Sequence, residues 1–281
     1  MRAVTLAYVP GSALGDAIKV AERFERAGGL SSVAYLNGMD EAPDAIAALK
    51  LQALADFAKP DSRRFISVKA PALGFDMARV ARIAEFAQRC GAGIHFDSHG
   101  VDAADRTWEC VEHARRITPN VGVTIPAAWS RSAGDVQRAL PLGLRHIRLV
   151  KGAFDLEDAT DGERRARFLE LVDRLRGRVR RVGVATHDPE LARESISRLK
   201  AAGTDCELEL LHGLPTRRML LVARELGVRP RLCVHYGAAW APYSLAQAAK
   251  HPETMAWILK DVVQGLGGRI KARFLEQTGR L

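Results

Sequence analysis

The chain has no C-x-x-C pair, no G-x-G-x-x-G turn and no apolar run near the roughly 20 residues that a membrane span needs. Its four cysteines, Cys90, Cys110, Cys206 and Cys233, are scattered, which argues against a zinc knot or a disulfide frame and favours reduced thiols. The opening stretch MRAVTLAYVPGSALGD lacks the charged, apolar and small-residue zones of a signal peptide. A cytoplasmic protein is therefore expected, with membrane contact at most peripheral. Aromatics make up only 6% of the residues and are rarely interleaved with the arginines, so the formal charge of +9 reads as a solvated basic surface. No nucleic-acid partner is expected. No linker, low-complexity tract or charge block divides the 281 residues, and a single domain over 1–281 is expected.

What recurs instead is a short apolar strand, a turn and an amphipathic helix. Strands are predicted at 31–36, 64–69, 93–97, 121–126, 146–151, 181–186, 206–211 and 231–236. Helical patterns lie between them, such as DMARVARIAEFAQRC and DPELARESISRLKAAG. In the second, Asp188 is placed as the N-cap, Pro189 as the first helical residue and Gly203 as the stop. Eight such units predict an α/β fold, a (β/α)8 TIM-type barrel, with residues 1–28 as an extra N-terminal helical segment. An open doubly wound sheet is the competing architecture; the missing glycine fingerprint after the first strand counts against it.

In a (β/α)8 barrel the chemistry gathers at the C-terminal ends of the strands. Those ends carry Lys69; His95, Asp97 and His99; Pro126; Arg148 and Lys151; Thr186, His187 and Asp188; Glu209 and His212; His235 and Tyr236. Arg148 is the odd residue of HIRLVKGAFD: a cation inside an apolar strand is costly to bury unless something negative meets it. Lys69, Arg148 and Lys151 outnumber the nearby carboxylates, which points to an anionic ligand such as a phosphate or pyrophosphate.

The short stretches ISVK (66–69), IHFD (94–97), IRLVKGAF (147–154), ATHD (185–188), LELLHG (208–213) and VHYGAAWAPY (234–243) follow one another at successive strand ends. In these the chain resembles the proline dehydrogenases, flavoenzymes with a (β/α)8 barrel that oxidise L-proline to pyrroline-5-carboxylate. The resemblance covers most of the chain and implies FAD as cofactor. By it, Arg148 would face the flavin N5 region, Lys151 the polar tail of FAD, and Thr186 and His187 the bound dinucleotide. Lys69 and Asp97 would form a pair on the substrate side of the flavin and, with Arg148, make up the catalytic set. Leu211 would pack there and Tyr243 would cover the substrate pocket; no metal is implied. The flavin would be what meets Arg148 in its strand.

The chain also departs from that family. Where the family carries a paired arginine and then a glutamate that clamp the proline carboxylate, YSLAQAAK has Ala246, Gln247 and Lys250. Charge-assisted hydrogen bonds of about 1.5–3 kcal/mol each are lost, so free L-proline would bind poorly. Pro126 replaces a glutamine offered to the flavin, Phe154 a common tyrosine, and Cys233 a tyrosine on strand eight. The expected activity is thus a proline dehydrogenase-like, flavin-dependent oxidation of the carbon next to an amine nitrogen. Its substrate would be a cyclic amine, a proline-like amide or ester, or a carrier-tethered residue, and its electron acceptor is unknown. A metal-dependent barrel built on His95, Asp97, His99, His187, His212 and His235 is the alternative in another class. A non-catalytic relic of the family is the third reading.

Overall fold

The computed structural model describes residues 11–38, 40–58, 63–152 and 160–237. Its strands are β1 (Leu30–Tyr35), β2 (Phe65–Val68), β3 (Gly93–Phe96), β4 (Val121–Pro126), β5 (His146–Val150), β6 (Arg181–Ala185), β7 (Asp205–Leu211) and β8 (Pro230–Tyr236). All neighbours are parallel and β8 pairs with β1, which closes the barrel in sequence order. The eight predicted strands are found within a residue or two of their predicted bounds. Helices α1 (Leu14–Arg26), α2 (Pro43–Phe57), α3 (Met77–Cys90), α4 (Ala104–Ile117), α5 (Ser132–Ala139), α6 (Asp161–Leu175), α7 (Pro189–Ala201) and α8 (Arg217–Glu225) alternate with them. The first supplies the N-terminal helix and packs on β1 and β8. No helix among the described residues is long and apolar enough to cross a membrane.

Local signals explain where the helices start. Asp188 Oδ1 accepts hydrogen bonds from the amides of Glu190 (3.0 Å) and Leu191 (3.1 Å), Pro189 opens α7, and Gly203 follows it with a positive φ of 69°. Helix α6 begins with a capping box between Thr160 and Glu163.

The two faces of the strands differ in chemistry. Ile66, Val68, Ile94, Phe96, Val123, Ile125, Ile147, Leu149, Val182 and Val184 face the helices and form the main core with Ile46, Leu54, Phe57, Ile83 and others. Side chains alternate along a strand, so their neighbours face the barrel axis. These are polar: Ser67, His95, Thr124, His146, Arg148, Glu207, Glu209 and Arg231, all buried. Barrels of this type are usually filled by bulky apolar side chains. This one is filled by ions. Glycines on the same face make room for them: a Cβ on Gly122 would collide with the His95 ring, and one on Gly183 with Glu209 and His146.

Candidate active site

The interior ions form a ladder of alternating sign along the barrel. Near the N-terminal end, Arg231 binds Glu207 through Nε–Oε1 and Nη2–Oε2 (3.1 Å). Between Glu207 and Glu209 lies His146, whose Nε2 is 3.1 Å from one carboxylate and 3.0 Å from the other. Glu209 Oε2 accepts from Arg148 Nε at 2.8 Å, and Arg148 Nη1 donates to Asp97 Oδ1 at 2.9 Å. Three carboxylates thus face two guanidiniums and one imidazole, and protonated His146 brings the set to neutrality. Burial disfavours that charge, but the Glu209 and Glu207 carboxylates outweigh it and raise the His146 pKa above its ordinary value. Both glutamates are held below the ordinary range: burial opposes this, and Arg231 and His146 for Glu207, Arg148 and His146 for Glu209, overcome it.

His95 completes the ladder as its neutral member. Burial, then the charges of Arg148, His146 and Arg231, push its pKa well down. The imidazolium of His146 can donate from Nδ1 to His95 Nδ1 (3.4 Å), leaving His95 Nε2–H for Thr124 Oγ1 at 2.9 Å. Phe65 lies beneath two guanidiniums, 4.4 Å from Arg231 and 5.5 Å from Arg148.

Arg148 therefore meets carboxylates, not only a ligand, and this revises the expectation that a flavin alone makes its burial tolerable. The expected surplus of cations over carboxylates needs the same correction. Arg148 is neutralised by Glu209 and Asp97, and Lys151 Nζ binds Asp161 (3.0 Å) and Asp188 (3.2 Å). Asp97 is turned to Arg148, and among the described residues Lys69 has no carboxylate within 4 Å. Asp97 remains the nearest opposing charge, and burial still lowers the Lys69 pKa.

A residue that sequence reasoning missed stands beside Lys69. Lys50 is 2% exposed and makes no ion pair among the described residues; its Nζ lies 5.5 Å above the Tyr35 ring. Burial, reinforced by Lys69, lowers its pKa to about 7. The signal was present in α2, whose buried stripe is Ile46, Ala47, Lys50, Ala53, Leu54 and Phe57. A lysine in the middle of an apolar i, i+3, i+4 stripe is out of place unless it has a task. His235 lies partly buried next to both lysines, and burial first, then Lys69 and Arg148, lower its pKa to about 3. Cys233 shares the region; burial raises its thiol pKa to about 11, so it is no thiolate nucleophile.

The expected dinucleotide residues lie together on β5, β6 and the loops that follow. Thr186 Oγ1 accepts from the Asp188 amide at 3.1 Å. Both ring nitrogens of His187 are engaged, Nδ1 with Pro215 O at 3.2 Å and Nε2 with the Leu211 amide at 3.2 Å. That fixes a neutral ring with the proton on Nδ1, and His187 ties the loop after β6 to the end of β7. Leu211 is partly buried at that end. Tyr243, Phe154, Ala246, Gln247 and Lys250 lie outside the described residues.

The metal alternative fares differently from its expected form. Among the described residues, the group whose donor atoms converge within 4.8 Å is His146, Glu207 and Glu209, not the strand-end set of His95, Asp97, His99, His187, His212 and His235. A divalent ion there would sit beside Arg148 and Arg231 and displace a ladder that a single proton already neutralises. A flavin fits better. Among the described residues the buried Arg148 Nη2 has no hydrogen-bond partner, so the guanidinium keeps that nitrogen's N–H groups available for an acceptor on a bound ring.

The fold is that of a barrel from the proline utilization A proteins. Proline utilization A of Bdellovibrio bacteriovorus, inactivated by N-propargylglycine, superposes with a TM-score of 0.74 at 14% identity, over 93% of this chain and 32% of that one. The protein of that name from Corynebacterium freiburgense gives 0.70 at 18% identity, over 94% and 32%. A proline utilization A with proline bound in remote sites gives 0.67 at 17% identity, over 82% and 29%. The chain thus spans about a third of the length of these proteins. No family model and no curated protein matches the chain.

Proposed function

We propose that the chain is a flavin-dependent oxidoreductase of proline dehydrogenase type that acts on an amine other than free L-proline. The observation that carries this reading is Arg148: buried, charge-balanced by Glu209 and Asp97, and with its Nη2 unpaired among the described residues. Arg148, with Lys151, Thr186 and His187, would hold FAD. The bound flavin would supply the two-electron acceptor for a hydride from the carbon next to the amine nitrogen.

The chain's own residues would do the rest. An amine must shed its ammonium proton before the carbon beside it can give up a hydride. Lys69 Nζ, half-buried and with its pKa lowered by burial, can take that proton when it is itself uncharged. Asp97, held by Arg148, orients the guanidinium. The fixed ladder below keeps both in place without room to relax.

The substrate class rests on Ala246, Gln247 and Lys250. With no arginine pair, a cyclic amine, a proline amide or ester, or an amine tethered to an acidic carrier fits better than free L-proline. Anaerobic flavin bleaching tests this. Proline esters or cyclic amines are expected to bleach and L-proline to bleach poorly, while an Ala246→Arg, Gln247→Arg, Lys250→Glu variant gains L-proline activity. Efficient bleaching of the native protein by L-proline would overturn the substrate claim.

A further inference from the structure

The end of the barrel opposite Lys69 and Lys151 carries a second concentration of charge. Arg63 and Arg64 lie just before β2, Arg145 just before β5, and Arg181 and Arg231 at the starts of β6 and β8. All five line one small, partly open cavity on the N-terminal face, together with Asn120 and His146. Four of the five have carboxylate partners: Arg63 and Arg181 share Asp205, Arg64 takes Glu25, and Arg231 takes Glu207.

Arg145 has none. Its Nη1 donates to the Asn120 side-chain oxygen at 2.6 Å. It is half-buried, and its neighbours in charge are other arginines, Arg181, Arg180, Arg231 and Arg63, which together with burial lower its pKa. A guanidinium in that position is repelled from every side yet kept at the wall of a cavity. What the arrangement lacks is an anion.

We propose that this cavity binds a small oxyanion, a phosphate or the phosphate group of a phosphomonoester, with Arg145 as its principal ligand and the Arg63, Arg181 and Arg231 guanidiniums around it. A planar guanidinium fork matches a phosphate through two parallel hydrogen bonds. The site is separate from the flavin site at the other end of the barrel and does not depend on that assignment.

The test is thermal unfolding of the full chain against inorganic phosphate, glycerol phosphate, acetate, and sodium chloride at matched ionic strength. The melting temperature is expected to rise with phosphate beyond the chloride control. An equal response to glycerol phosphate marks the group as the handle of a larger ligand, and a response to inorganic phosphate alone marks a free anion. Arg145→Gln is expected to weaken phosphate binding by about tenfold to a hundredfold. Without phosphate it should be as stable as the native chain or more so, because a repelled charge has gone. Arg145→Lys keeps the charge but loses the fork and should fall between. Lys151→Met, at the far end, should leave the phosphate response intact. No response beyond ionic strength, an unchanged response in Arg145→Gln, or a response lost in Lys151→Met instead would each overturn the proposal.

Discussion

Replacing Glu209 with Leu removes the middle carboxylate of the interior ladder and leaves Arg148 and His146 each one partner short. Removing one partner of a buried ion pair costs about 3–5 kcal/mol, because the other charge stays buried. A melting temperature shifts by about 2–4 °C per kcal/mol for a chain of roughly this size, so the expected loss is roughly 6–20 °C. Arg148→Met is expected to cost a similar amount, since it strands Glu209 and Asp97. The double variant removes a positive and a negative charge together and leaves the ladder neutral. It should therefore be less destabilised than the sum of the singles, with a coupling of about 2 kcal/mol. Urea denaturation of the four proteins at pH 6 measures it. Single variants that cost under about 1 kcal/mol, or effects that simply add, would refute the ladder.

The same ladder sets a pH window. His146 has its pKa raised by the two glutamates, so its contribution is complete below the ordinary value of 6.5 and is lost as pH rises through the folded pKa. Glu207 and Glu209 are lowered, so theirs is complete above 4.5 and is lost as pH falls. Stability should be greatest between these limits, and His146→Gln should flatten the alkaline side; an unchanged alkaline limb would contradict the assignment. Lys50 runs the other way. Between its ordinary value of 10.5 and about 7 the unfolded chain takes up a proton that the folded chain does not, so stability falls as pH falls. Lys50→Met should therefore raise the melting temperature at neutral pH, and a fall would show that Lys50 is paired in solution.

The fold was legible because two periodicities were. Apolar strands of period two alternate with amphipathic helices, and Asp188, Pro189 and Gly203 mark helix ends by chemistry that acts within a few residues. The same period of two carried the polar interior. In HIRLV, Ile147 and Leu149 face the helices while His146 and Arg148 face the axis, and ELELL repeats the pattern with Glu207 and Glu209. Which charges meet was not legible. Arg148 and Glu209 are 61 positions apart, and Arg148 and Asp97 are 51 apart. Only closure of the barrel sets which carboxylate takes which cation, and so Asp97 went to Arg148 and not to Lys69. His146, Glu207 and Arg231 were missed as site residues for a related reason. They lie at strand starts and middles, away from the C-terminal strand ends where such barrels gather their chemistry. The departures at Ala246, Gln247 and Lys250 rest on sequence alone.

The flavin assignment is tested most directly by the visible absorption spectrum of the purified chain, desalted after incubation with FAD. A retained flavin spectrum is expected for the native protein, with sharply reduced flavin content in Arg148→Met, whose circular dichroism shows the fold intact. A spectrum that is flat for the native chain at saturating FAD, or flavin content that Arg148→Met leaves unchanged, would contradict the account.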